Sequence, residues 1–77
     1  MNMKKGLEEK SVGRAENLHA FYDPDNKDLI LRMNIAHEIG PSSSGKSVII
    51  ATSHGHETIE IDNEKLVLVL NLYQLKK

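Results

Sequence analysis

Residues 65 to 73 read Lys-Leu-Val-Leu-Val-Leu-Asn-Leu-Tyr, and this run constrains the fold more than any other segment. As a strand it places Leu66, Leu68, Leu70 and Leu72 on one face and Val67, Val69 and Tyr73 on the other. Both faces are apolar, so both predict burial. A small lone sheet has difficulty covering two apolar faces. One face is expected to bury against the N-terminal segment or by curling into a partial barrel. The other is expected to meet a second copy of the chain, so a homo-oligomer, in its simplest form a dimer, is the anticipated assembly. A helix from Glu64 to Leu75 is the competing reading, since Leu, Glu and Lys favour helix and Leu68, Leu72 and Leu75 keep helical spacing. The Val–Leu alternation and the polar Asn71 favour the strand.

Three further runs carry strand character. From Asp28 onward, Leu29, Leu31, Met33 and Ile35 alternate with Arg32, Asn34, Ala36 and Glu38, with Ile30 out of pattern. Val48 to Thr52 is apolar and β-branched. Glu57 to Asp62 sets Ile59 and Ile61 on one face and His56, Thr58 and Glu60 on the other. Asp62-Asn63-Glu64 and Tyr22-Asp23-Pro24-Asp25-Asn26-Lys27 read as turns. Residues 1 to 27 are polar and mixed, with Gly13 interrupting any helix begun at Leu7, and are expected to form a flexible or partly helical arm. The expected architecture is therefore all-β or β-rich α+β. About four antiparallel strands form one small sheet or partial barrel over residues 28 to 77, preceded by the arm over residues 1 to 27.

The chain has 77 residues and no cysteine, so disulfides and thiolate metal sites are excluded as staples. That composition fits a reducing, cytosolic setting. No apolar run approaches the ~20 residues of a membrane span, and the basic start at Lys4-Lys5 has no apolar stretch behind it. Ten basic and eleven acidic side chains give a formal charge of −1. Such a balance is unlike that of a domain built to coat a polyanion.

One segment resembles a written motif. Gly40-Pro41-Ser42-Ser43-Ser44-Gly45-Lys46-Ser47 satisfies the P-loop spacing G-x-x-x-x-G-K-[ST]. A working P-loop needs a helix starting at the Lys-Ser pair. Here Val48-Ile49-Ile50-Ala51-Thr52 follows, which favours a strand, and the chain is too short for several βαβ units. A β-hairpin with a Gly/Pro/Ser tip is the better local reading. Ser42, Ser43, Ser44, Gly45, Lys46 and Ser47 then offer hydroxyls, N–H groups and one cation, a chemistry suited to phosphate. Arg32 is the candidate second cation. The plain alternative is a solvated polar loop.

Other constellations are weaker. His54-Gly55-His56-Glu57, with His37 on the first run, is a possible divalent-ion set, but a hairpin at the loop leaves His37 far from His54, so no metal is expected. No G-x-S-x-G elbow is present, and no catalytic residues or cofactor are expected. Nucleic acid is a candidate partner through the loop, although only Phe21, Tyr22 and Tyr73 are available for base stacking.

From Ile39 to Gly55, the stretch around Gly-Pro-Ser-Ser-Ser-Gly-Lys-Ser resembles a signature of short prokaryotic β-proteins with a G-P-S-x-S-G-K-S loop. The closing Leu70-Asn71-Leu72-Tyr73 is similar too. The resemblance spans residues 28 to 75 and implies no activity. It marks the loop as characteristic. Taken together, the residues predict a non-enzymatic, oligomeric binding module contacting nucleic-acid phosphates through the loop. A protein-interaction module working through its apolar sheet face is the rival. Nucleotide binding by the P-loop-like octet stands third.

Overall fold

A computed structural model describes residues 6–75. The described residues are all-β: eight short strands in three small antiparallel sheets, with no helix among them. The strands are β1 (Glu8–Lys10), β2 (His19–Asp23), β3 (Asp28–Arg32), β4 (Gly40–Pro41), β5 (Ser47–Thr52), β6 (Glu57–Ile61), β7 (Glu64–Leu68) and β8 (Asn71–Leu75). The first sheet has the order β1-β2-β3, the second β4-β5-β8, and β6 and β7 form a separate hairpin.

Turn chemistry explains the hairpins. At the β2–β3 turn the Asp23 carboxylate accepts from Asp25 N (3.0 Å) and Asn26 Nδ2 (2.9 Å), and Lys27 takes φ 62°. At the β6–β7 turn Asp62 and Asn63 both have positive φ (52° and 65°). Two such central residues match the right-handed twist of the flanking strands, and Ile61 pairs with Glu64.

The core lies between the first sheet and the β6–β7 hairpin. Val12, Leu18, Ala20, Tyr22, Ile59 and Ile61 form its buried cluster, with Leu31, Met33, Leu68 and Leu70 packed around it. The alternation of Ile59 and Ile61 against exposed Thr58 and Glu60 agrees with the sequence. Residues 8 to 23 differ from the expected flexible or helical arm. They form β1 and β2 and supply four of the six residues in the buried cluster. Leu18, Ala20 and Tyr22 alternate at strand spacing and so share the face that meets the core.

The single four-stranded sheet is also corrected, because two long runs are broken. The first run stops at Arg32. Asn34 then turns the chain, accepting from Ala36 N through Oδ1 (2.9 Å) and from His37 N through its carbonyl (3.1 Å). The Asn17 side chain fixes that bend, donating to Asn34 O (2.9 Å) and Ile50 O (2.8 Å) and accepting from Asn34 N (3.3 Å). The first run therefore pairs with β2, and only Gly40–Pro41 meets β5. The run from 65 to 73 is divided by Ser53, which is fully buried. Its N–H donates to Leu70 O (2.9 Å) and its Oγ accepts from Leu70 N (3.0 Å). These bonds hold Leu70 outside either ladder, so β7 pairs with β6 and β8 pairs with β5.

The two sheets are tied by a backbone bridge, Glu16 N to Thr52 O (2.8 Å) and Thr52 N to Glu16 O (3.2 Å). The molecule is open for its size. Its Cα radius of gyration is 14.0 Å, against about 11–12 Å for a compact domain of this length. No helix among the described residues is long and apolar enough to cross a membrane.

Candidate functional surfaces

The serine-rich segment is the tip of the β4–β5 hairpin. Ser42 N donates to Ser47 O (2.9 Å) and Gly45 N to Ser42 O (2.9 Å), with Gly45 at φ 75°. That conformation favours glycine and closes the tip. A strand, β5, follows Lys46 where a P-loop has a helix. Much of the serine chemistry is spent internally. Ser47 Oγ donates to Ser42 Oγ (2.9 Å), Ser42 Oγ lies 3.3 Å from Ser44 Oγ, and Ser44 Oγ accepts from Lys46 N (3.3 Å). Ser43 and Lys46 are exposed, and Lys46 has no ion pair among the described residues. Arg32 ends β3 in the first sheet, opposite His19, and no hydrogen bond or ion pair among the described residues joins it to the loop. The loop and Arg32 are thus not assembled into one site by contact.

The histidines are likewise dispersed. His54, at φ 57°, places Nε2 2.5 Å from Glu16 Oε1. Glu57 is engaged elsewhere, accepting from Arg14 N and Nε (3.3 Å each). Among the described residues no group of three metal-ligating side chains converges.

A polar network missed in the sequence lies at the edge of the core. Tyr22 donates its hydroxyl to Asp62 Oδ2 (2.9 Å), which also faces Lys27 Nζ at 3.5 Å. Burial, then the bond and charge of Asp62, push the Tyr22 hydroxyl above its ordinary range. The Tyr22 bond, more than Lys27, holds the Asp62 carboxyl below its own. Tyr22 first and Asp62 second raise Lys27. These residues open onto a cleft of 330 Å³ walled by Leu29, Ile61 and Leu66. The turn residues were legible, but their convergence depends on the long-range packing of two turns.

The largest departure from the sequence expectation is the 65–73 run. Its two faces were expected to be buried, yet Leu66 is 45% exposed, Val67 65%, Val69 53% and Tyr73 48%, and Leu75 just beyond is 79% exposed. Leu68 and Leu70 pack on the core, and among the described residues no second layer covers Val67, Val69 and Tyr73.

The backbone of β8 is also open. Ser47 and Ile49 direct their carbonyls towards β4, accepting from Ser42 N and Ile39 N. Thr52 directs both backbone groups to Glu16. In an extended strand a residue's N–H and C=O point to the same side, and antiparallel pairs alternate accordingly. The partners of those three residues on β8 are Leu75, Tyr73 and Asn71. Their N–H and C=O groups therefore point away from β5. β8 ends the strand order of its sheet, so among the described residues no strand covers that edge. Comparison with models of protein families, with curated proteins and with solved structures finds no match.

Proposed function

We propose that this protein is a non-enzymatic interaction module, working in a reducing, cytosolic setting through protein–protein contact along residues 64 to 75. One observation carries the reading. Among the described residues, five of the eight exposed large apolar side chains, Leu66, Val67, Val69, Tyr73 and Leu75, fall in this one stretch. Scattered surface apolar residues are ordinary, but such a concentration marks a contact surface. Sedimentation across protein concentration, at low and high salt, tests it. Association that survives high salt is expected, because apolar contacts are not screened. A chain that stays monomeric at every concentration overturns the reading.

Nucleic-acid binding is the second reading. It is favoured by one feature, the exposed Lys46 at the hairpin tip, which has no ion pair among the described residues. It predicts that labelled oligonucleotides bind at low salt, are released as salt rises, and are lost with Lys46→Ala. The internal bonding of the serines weighs against it, since Ser42, Ser44 and Ser47 already engage one another.

A further inference from the structure

We infer that the partner of this surface is a second copy of the chain, joined by antiparallel pairing of β8 with β8 about a two-fold axis midway between the two copies of Tyr73. The inference rests on the interaction-module reading above and adds the partner, the strand and the register.

Three observations converge. The first is the outward set itself, Asn71, Tyr73 and Leu75, which is symmetric about its middle member. Turning a second β8 antiparallel puts Tyr73 opposite Tyr73 and Asn71 opposite Leu75. Every outward N–H then meets an outward C=O, as hydrogen-bonded antiparallel pairs require. Any other register leaves at least one end of the set unmatched.

The second is charge. Each other strand at a sheet edge carries the features that block edge pairing: Glu8, Glu9 and Lys10 in β1, Asp28 and Arg32 in β3, Pro41 in β4, Glu57 and Glu60 in β6, Glu64 and Lys65 in β7. Within its five residues β8 has neither charge nor proline. Within the described strand self-pairing therefore brings no like charges together, and it sets Tyr73 beside Tyr73 and Leu72 across from Gln74. Aromatic cross-strand pairs favour such a contact.

The third is closure. Pairing β8 with its copy gives the order β4-β5-β8-β8-β5-β4, with β4 at both outer edges. β4 has two residues, and Pro41 has no N–H to donate. The contact is isologous, so assembly ends at a dimer rather than a fibre.

Because the chain contains no cysteine, single introduced cysteines report the register directly. Under mild oxidation Tyr73→Cys is expected to give a disulfide-linked dimer. Leu75→Cys alone is expected not to, since its two copies lie about 14 Å apart along the strands. Mixed with Asn71→Cys it is expected to cross-link. Leu75→Pro, which deletes an outward N–H and spares the β5 ladder, is expected to raise the dimer dissociation constant roughly tenfold relative to Leu75→Ala. Circular dichroism of the diluted monomer checks that its fold persists. A dimer that cross-links through Val67→Cys and not through Tyr73→Cys overturns the β8 register while leaving the interaction-module reading standing. Wild-type protein that remains monomeric overturns both.

Discussion

The two halves of this molecule draw on similar apolar content and end in different states. The first sheet and the β6–β7 hairpin face each other, and between them Leu18, Ala20, Tyr22 and Ile59 lose nearly all contact with water. Among the described residues no other sheet encloses a comparable core against the second one. Its central strand β5 buries Ile50 and Ala51, while its edge strand β8 leaves Tyr73 and Leu75 in solvent. The difference teaches that apolar strands are buried by a second layer and not by their own composition. The same contrast recurs between the loop and β8. The loop serines satisfy one another, whereas the outward edge of β8 has no partner strand among the described residues.

The sharpest way to break this comparison is to cut one side chain from each half. Ile59→Ala should cost about 2–5 kcal/mol in chemical denaturation, as for large-to-small changes in a packed core. Leu75→Ala in the dilute monomer should shift the same curve by less than about 0.5 kcal/mol. Equal losses would show that the second sheet holds the monomer together as firmly as the core does.

The joint between the halves comes next. Asn17→Ala removes a side chain that donates to two carbonyls and accepts from Asn34 N, at a residue held at φ 54°. A loss of about 1–3 kcal/mol is expected, with faster amide exchange around Asn34 than around Ile59. Gly13→Ala probes a different contact, that of the β1–β2 connection with β6. Gly13 has φ 57°, and an added Cβ would fall 2.0 Å from Glu57 Oε1. Glu57 can swing away, but only by giving up Arg14, and the left-handed backbone alone costs about 1–2 kcal/mol. Gly13→Asn, which tolerates that conformation better, should lose less if backbone strain dominates and as much if the Glu57 collision does.

The network at the core's rim should show itself in pH dependence. Asp62 titrates below its ordinary range in the folded protein, so the stability it contributes is present above the usual carboxylate range. That contribution is lost as pH falls through the lowered value. Tyr22 and Lys27 are raised, so their contribution is present below about pH 10 and is lost as pH rises through the raised values. Thermal melts across pH should fall off on both sides. Asp62→Asn should flatten the acid limb and weaken the alkaline one, and Tyr22→Phe should reduce the alkaline limb. An unchanged acid limb in Asp62→Asn would remove this network from the account. The smallest effect belongs to the loop, where Lys46→Ala should leave stability within about 0.5 kcal/mol of the parent.

Several features were legible in the residues themselves. The Ile59/Ile61 alternation named the buried face of β6, and the Pro24–Lys27 and Asp62–Asn63 turns fall where turn residues cluster. The flank after Lys46 marked a hairpin and excluded a P-loop helix. The strand at 8–10 was not legible, because Glu8-Glu9-Lys10 has no apolar residue, and the strand-period spacing of Leu18, Ala20 and Tyr22 was obscured by the polar composition around it. The candidate anion site was legible as composition only. Whether serines bond to a ligand or to each other depends on the tip's backbone path, which sequence spacing does not specify.

The alternating pattern and the turn residues thus determined by themselves that this chain is built of antiparallel strands, since side-chain period and local backbone preference act over a few neighbours. Tertiary structure alone decided which strands pair. Ser53 reaches Leu70 across 17 positions and splits one apolar run between a hairpin and a sheet, and Asn17 reaches Asn34 and Ile50 to set the bend between layers. Such bonds join residues far apart in sequence, and a local pattern carries no information about which distant groups will satisfy it.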